Sequence, residues 1–481
     1  MNNFSIDNQI SLLKTLFKKW SGDDANQVFP IPSSGSNRKY FRIKSSKLNV
    51  LGVYNNNLKE NLAFIEFSKH FKKHSLNVPE IYSADLDNNI YLIEDFGDVD
   101  LFSLIKKDKN KYSTETINIY KKSLDELIKF QLTAGKEINY DFCYPRKSFD
   151  KQSMLWDLNY FKYYFLKLAD IPFDEQELEN DFHLLIKVLL EADNNYFMYR
   201  DFQSRNIMIQ ENSPFFIDYQ GGRKGALQYD VASLLFQVRA EMPSNIRDEL
   251  LDYYISQLKK VIVVDEKKFK KHYYAFVYLR LMQVMGAYGF RGLYEKKTHF
   301  VQSIPFAIKN LKYLLKNHPF PKELSELNSA LKKLLAYDKF DTSKQIQNKL
   351  CVSVNSFSFK KAPPTDLSGN GGGFTFDCRA LPNPGMYEKY RVFSGKDKII
   401  IDYLENENEV KEFEKNVFKI VEQSIEKYIE RGFTNLMINF GCTGGQHRSV
   451  FFAEKLTKHI KSKYKIKVVL NHCEKDNWNI M

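Results

Sequence analysis

Apolar positions recur at helical spacing near the N-terminus. Ile10, Leu12, Leu13, Leu16, Phe17 and Trp20 predict a helix over 7–20, with lysines on its other face. Short apolar runs at 39–44, 49–54 and 90–96 predict strands, and 58–73 predicts a helix between the last two. Beyond 112 the helical period takes over. It runs through 112–135, 151–192, the stretch after Asp230, 243–261, 266–293 and 301–316, rich in Tyr and Phe. Two short apolar strands interrupt it, 207–209 and 215–217, joined by a turn through Pro214. Residues 337–348, YDKFDTSKQIQN, are polar and predict a linker. After them, strands at 350–359, 374–378, 435–440 and 465–470 alternate with helices at 407–431 and 450–463. That alternation predicts a small α/β domain with a parallel component.

Composition narrows the picture. A chain of 481 residues holds about three compact units, or a two-lobed enzyme plus a module. The net charge of +12 comes from lysines interleaved with acids, the pattern of a solvated surface rather than a nucleic-acid-binding block. The five cysteines, at 143, 351, 378, 442 and 473, form no C-x-x-C pair, which argues against a disulfide framework and a zinc site. The N-terminus has no signal-peptide core, and no apolar run approaches the ~18 residues of a membrane span, so a cytoplasmic protein is expected.

The chemistry concentrates between Tyr199 and Asp230. A polar loop carries Asp201, and Asn206 follows five residues on. The second short strand then delivers Asp218. Phosphoryl transfer from ATP uses such a set: one carboxylate orients the acceptor hydroxyl, and a carboxylate with an amide holds Mg²⁺ across the phosphates. The bland alternative is two ordinary strands with acidic loop tips. Upstream, the small residues 33–36 precede a strand. A Gly/Ser turn there can present backbone N–H groups to phosphate oxygens, which makes Gly35, Ser36 and Asn37 candidate nucleotide contacts. Strand 49–54 lacks the lysine that pairs with phosphate in most kinases, leaving Arg38, Arg42 and Lys59 as candidates. Glu66 is a candidate ion-pair partner for such a cation, although a solvated helix face explains it as well.

YRDFQSRNIMI and IDYQGGRKGALQYDVASLL resemble motifs of the aminoglycoside phosphotransferase-like kinases, most nearly the kinases of N-acetylmuramate and N-acetylglucosamine that act at the 1-position. The resemblance covers roughly residues 10–330. It implies a protein-kinase-like two-lobed α+β domain over 1–336, with a small lobe at 1–95 and a helical large lobe at 96–336, using ATP and Mg²⁺. In it Asp201 is the catalytic base, Asn206 and Asp218 are metal ligands and Asp230 is a structural buttress. The hinge would present backbone to adenine near Glu94 and Phe96. Tyr199 stands where the family has His, and Gly221-Gly222 replace an acidic and a small residue.

A second site lies at GCTGGQHRS, between a buried strand and a helix. Backbone N–H groups of 443–447 can form an anion-binding nest at the helix N-terminus, and Arg448 can fork onto an oxyanion. Cys442 to Arg448 also has the C-x5-R spacing of cysteine phosphatases, with Asp366 and Asp377 as candidate acids. SFSFK, FDCRALPNP and GCTGGQHRSVFFAEKL resemble the C-terminal domain of the RapZ family over about 350–475. That resemblance implies a phosphosugar-binding domain over 349–481, built from Asp377, Arg379 and Thr443, Gly444, Gly445, Gln446, His447, Arg448 and Ser449, with glucosamine-6-phosphate as effector. RNA is a further partner of that family, but its basic C-terminal tail is missing here. The expectation is therefore an amino-sugar kinase with a phosphosugar-sensing module. A non-catalytic regulator of RNA or protein and a Cys442 phosphatase are the alternatives.

Overall fold

The computed structural model describes residues 5–31, 38–336, 350–364, 366 and 372–478. Contacts divide the chain into two compact units: residues 1–287 with 306–335, and residues 288–305 with 336–481.

The first unit opens with helix α1 (Ile6–Ser21). Ser5 caps it by accepting the Asn8 N–H at 3.3 Å, and Gly22 ends it at φ +76°. Antiparallel strands β1 (Gln27–Ile31), β2 (Lys39–Lys44), β3 (Asn49–Tyr54), β4 (Ile81–Asp85) and β5 (Ile90–Glu94) form one sheet in the order β1-β2-β3-β5-β4. The apolar face of α1, Leu13, Leu16 and Phe17, packs on Phe41, Ile43, Val50, Ile90 and Leu92 of that sheet. Gly52 of β3 makes the approach feasible, because a Cβ there would lie 2.8 Å from a Leu13 methyl.

Helix α2 (Leu58–Lys73), capped by Asn57, follows β3. Its Phe64 stacks on Tyr219 with ring centroids 5.2 Å apart, and Phe71 meets Phe130, Phe197 and Tyr219 edge-on. These rings tie α2 to the loop that carries Asp218. After β5 the chain redirects at Gly97, φ +81°. Arg42 of β2 spans this turn, donating Nε to Asp95 at 2.6 Å and Nη1 to Asp98 at 2.9 Å.

The chain then becomes helical, with long helices at Thr114–Ile128, Lys151–Phe161, Glu175–Leu189, Ser244–Leu258 and Glu266–Tyr288. Two small hairpin-like pairs sit among them. β6 (Tyr196–Met198) pairs with β9 (Arg223–Gly225), and β7 (Ile207–Gln210) pairs with β8 (Ser213–Phe216). The second is the expected hairpin with its turn shifted. Glu211 and Asn212 make the turn at φ +48° and +58°, and Pro214 lies inside β8 opposite Ile209. A type I′ hairpin turn, the kind formed here, needs positive φ at both central residues, which proline cannot adopt. The two-lobed α+β architecture expected for a protein-kinase-like domain is what the chain forms.

In the second unit, β10 (Cys351–Ser358), β11 (Gly373–Asp377), β12 (Asn435–Cys442) and β13 (Lys467–His472) form an all-parallel sheet in the order β11-β12-β10-β13. Val352, Val354, Ile438 and Phe440 share a core with Ile400, Leu404, Val417, Phe452 and Leu456 of helices Lys398–Asn406, Asn408–Glu430 and Arg448–Lys463. This is the expected small α/β domain, with one helix, Lys398–Asn406, beyond expectation. The expected linker at 337–348 lies outside the described residues, as do Gly35, Ser36 and Asn37. Among the described residues, no helix is long and apolar enough to cross a membrane.

Candidate active site

Asp201, Asn206 and Asp218 come together at the open end of the β7–β8 hairpin. Asn206 Nδ2 donates to the Asp201 carbonyl at 2.8 Å and to Asp218 Oδ2 at 3.2 Å, so one amide bridges the two acids. Asp218 sits at φ +71° and Arg200 at φ +80°, both in the left-handed region. Such strained positions need support from their surroundings. Fully buried Asp230 supplies it, accepting the Tyr199 N–H at 2.8 Å, the Arg200 N–H at 3.0 Å and Gln131 Nε2 at 3.2 Å. The Arg200 guanidinium forks onto Asp157 at 2.8 and 2.9 Å and reaches the Tyr229 hydroxyl at 2.6 Å. The Tyr199 hydroxyl donates to the Ile217 carbonyl at 2.7 Å, holding the loop to the hairpin where the resembling family has His.

The two carboxyls are shifted in opposite directions. Burial alone would raise the Asp201 carboxyl. The charges of Arg280, Arg200, Arg205 and Arg223 outweigh that and keep it below the ordinary carboxylate range. Arg280 Nη2 and Gln203 Nε2 both donate to Asp201 Oδ1 at 3.2 Å, and the side chain stays 40% exposed. Burial, and then the Asp201 charge, push Asp218 upward, opposed by Arg38 and by a 2.7 Å hydrogen bond from Gln220. A divalent cation between Asp218 and Asn206 would relieve that strain, so the residues fit one. Among the described residues, no group of three or more His, Cys, Asp or Glu is poised to hold a metal. A cation here would take its remaining oxygens from phosphates and water, as Mg²⁺ ordinarily does.

The three candidates for the phosphate-side cation differ in their surroundings. Lys59 is exposed, and Arg42 is spent on Asp95 and Asp98. Arg38 is buried and donates to Glu60 of α2 at 2.8 Å, and Glu60 is also held by Asn55 at 3.1 Å. Gln220 Nε2 reaches the same Glu60 at 3.5 Å, which links this ion pair to Asp218. Glu66 faces solvent beside Lys69. In the stretch expected to form the hinge, the Glu94 N–H bonds to the Glu80 carbonyl at 3.1 Å, and its carboxylate pairs with Lys72. The Phe96 ring is buried against Phe215. Sequence reasoning did not reach Glu60 and Arg280, which belong to distant segments, or Gln203 and Gln220, which lie within the two motifs but carry no charge to single them out.

In the second unit the strand–loop–helix forms as expected, but several of its side chains turn inward. Arg448 is buried, and its Nη1 donates to the Arg379 and Leu381 carbonyls at 2.9 and 2.8 Å, with Nε unpartnered. Gln446 holds the Arg391 and Phe393 carbonyls at 3.0 and 2.8 Å. His447, its pKa lowered by burial, meets the Tyr390 carbonyl at 3.1 Å. These three residues therefore pin the 379–393 segment over the loop. Cys442 is buried, with its Sγ accepting the Gly445 N–H at 3.2 Å and lying 3.2 Å from Ser449 Oγ. An enclosed thiol beside an Arg committed to carbonyls is not presented to a phosphate ester. Thr443 and Gly444 stay exposed, as do Asp377 and Arg379, which pair at 2.7 Å.

The first unit has a kinase-like fold, and a separate α/β domain follows it. Residues 28–262 match the phosphotransferase enzyme family, and residues 350–476 match the RapZ C-terminal domain. A nucleotide-binding protein of Thermosipho melanesiensis is 42% identical over 127 residues, 26% of this chain and 43% of that protein. One of Thermosipho africanus is 32% identical over 189 residues, 34% of this chain and 65% of that protein. The chain thus spans less than two thirds of these curated relatives. Among solved structures, a choline kinase of Cryptosporidium parvum aligns with TM-score 0.46 at 12% identity, covering 68% of this chain and all of that one. An ethanolamine kinase of Plasmodium vivax aligns with TM-score 0.45 at 12% identity, covering 59% of this chain and 81% of that one.

Proposed function

We propose that residues 1–336 are an ATP- and Mg²⁺-dependent cytoplasmic kinase acting on the anomeric hydroxyl of an amino sugar, N-acetylmuramate or N-acetylglucosamine. Its small lobe spans 1–95 and its large lobe 96–336. The observation that carries this is the Asn206 amide joining the Asp201 loop to the Asp218 carboxylate, with Asp201 ionised and open to solvent. Asp201 accepts the sugar hydroxyl proton as that oxygen attacks the γ-phosphate. Asn206 and Asp218 hold Mg²⁺, whose charge offsets that of the phosphates. Arg38, set by Glu60, faces the phosphates. The hinge near Glu94 and Phe96, and the 35–37 turn, receive the nucleotide.

Residues 349–481, after a 337–348 linker, are proposed to bind a phosphosugar such as glucosamine-6-phosphate at 443–449 with Asp377 and Arg379. The exposed Thr443 and Gly444 support this, as does the unpartnered Arg448 Nε. The kinase test is incubation with Mg-ATP and a panel of amino sugars, followed by phosphorus NMR. A sugar 1-phosphate that disappears with Asp201→Asn is the expected result. No product and no ATP loss would overturn the kinase and favour a ligand-binding regulator.

A further inference from the structure

The first unit holds a cavity of about 160 Å³ at the far end of β6 from the Asp201 loop. β6 starts at Tyr196, which lines the cavity, and runs on towards Tyr199 and Asp201. Leu227 and Gln228 line it from the start of helix Leu227–Leu235, and Phe269 and His272 from helix Glu266–Tyr288. The cavity shares no described residue with the Asp201 site.

Much of its wall is apolar, formed by Leu227, Leu258, Ile262, Val264 and Phe269. Two buried polar side chains interrupt that wall. Gln228 is 7% exposed, and among the described residues no hydrogen bond takes its side-chain amide. His272 is 2% exposed, and its buried Nε2 makes no hydrogen bond among the described residues. Glu191 Oε2 stands 3.6 Å from that nitrogen, too far for a bond. Buried polar groups are ordinarily partnered. Two without partners at one cavity point to a ligand that completes them.

The charges give the sign of that ligand. The chain carries a net charge of +12. Yet the described residues that line this cavity include three carboxylates, Glu191, Asp193 and Asp265, and one lysine, Lys268. Asp193 accepts the Asn195 N–H at 3.1 Å and Asp265 the Lys268 N–H at 3.0 Å, backbone donors that leave the carboxylate charge uncancelled. Lys271 meets Glu191 at 3.5 Å, but both side chains are exposed and water screens the pair. Burial lowers the His272 pKa, which favours a neutral imidazole that can offer Nε2 as an acceptor. Glu191 Oε2 and His272 Nε2 lie close enough together to accept from one ammonium group, and Gln228 brings a further acceptor to the same cavity.

We propose that this cavity binds a small organic amine, an ammonium group on an apolar body, about six to eight non-hydrogen atoms in all, since a cavity of roughly 150 Å³ admits benzene. The ammonium meets Glu191, His272 and Gln228, and the body lies against Leu258 and Phe269. The proposal is independent of the kinase reading.

The test uses three probes of one shape and different charge: benzylamine, benzyl alcohol and benzoate. Binding to the full chain is followed by ligand-observed NMR, and amide hydrogen exchange locates the site. Benzylamine should bind about tenfold tighter than the alcohol or more, the size expected of one charge-assisted bond, and benzoate should not bind. Benzylamine should slow exchange in peptides covering 190–197 and 262–272. Glu191→Gln, at the exposed rim, should bring benzylamine to the affinity of the alcohol. Val264→Trp, which fills the cavity from a half-buried loop position, should abolish binding of both. Equal affinities for the three probes, preference for benzoate, or no binding would overturn the proposal. So would amine-selective binding that survives both variants, or that protects 199–218 in place of the cavity, because the amine would then sit in the Asp201 site.

Discussion

Replacing Asp230 with alanine should loosen the Asp201 loop more than any other single change outside the loop itself. Asp230 is fully buried and accepts two backbone N–H groups, from Tyr199 at 2.8 Å and Arg200 at 3.0 Å. Removing the acceptor leaves both donors without a partner, at about 1–3 kcal/mol each, or about 2–6 kcal/mol for the pair. Arg200 also stands at φ +80°, so the loop stores strain that these bonds hold in place. The assay is amide hydrogen exchange on peptides covering 197–207. A loss of about 1–3 kcal/mol per amide corresponds to exchange about five- to 150-fold faster at Tyr199 and Arg200. Exchange within twofold of wild type at these amides would refute the reasoning, because it would mean that Asp157 and Tyr229 alone hold the loop through the Arg200 side chain.

Other outcomes follow from the same geometry. Burial pushes the Asp230 carboxyl up to about 7, against the N–H groups that favour its ionised form. The native chain therefore keeps a proton that the unfolded chain has lost between pH ~4 and ~7, so the stability contribution of this group falls as pH rises through that window. Comparing urea midpoints of wild type and Asp230→Asn from pH 5 to 8 should show a difference that changes with pH up to about 7 and is flat above it, and parallel curves would contradict this. Glu60→Gln removes the anionic partner of Arg38 and the far contact of Gln220, and kcat at saturating ATP should fall about tenfold or more, as for loss of a charged hydrogen bond. An unchanged kcat would remove Arg38 from the phosphate side. Gly445→Ala introduces a Cβ 2.6 Å from Glu474 Cγ and 3.0 Å from the Ser358 N at φ +70°, and should destabilise the C-terminal domain by about 1–3 kcal/mol in urea unfolding. Trp478, which donates to the Gly445 carbonyl at 3.3 Å, is the local fluorescence probe.

Local patterns in the sequence were enough to find the acids and amide of the site. Asp201, Asn206 and Asp218 flank one hairpin, whose pairing brings its two ends together. The partners that tune them are not local. Arg280 arrives from a helix 79 residues away, and nothing in its own helix distinguishes it from a surface arginine. On α2 the choice between Glu60 and Glu66 depends on which face meets Arg38, a matter of tertiary register that helical period alone does not decide. A phosphate-pairing lysine would be expected on β3, whereas the buried candidate, Arg38, stands just before β2. At the second site, the nest and helix were readable from glycines and apolar runs, but the inward turn of Gln446, His447 and Arg448 depends on a crossing segment, 379–393, that carries no motif. The extra helix at Lys398–Asn406 did leave a signal, Ile400 and Leu404 four residues apart.

The Arg42 clamp has a consequence for how fast the lobes part. Its two ends are not equivalent: Asp95 is 7% exposed and Asp98 75%. Mobile ions screen the outer bond at physiological ionic strength and hardly reach the inner one. Added salt therefore slackens one strand of the joint across Gly97 while the other keeps β2 fastened to the hinge. Product escape, where opening of the cleft limits it, should quicken with ionic strength and then level off, because the last bond to yield is one that salt does not weaken.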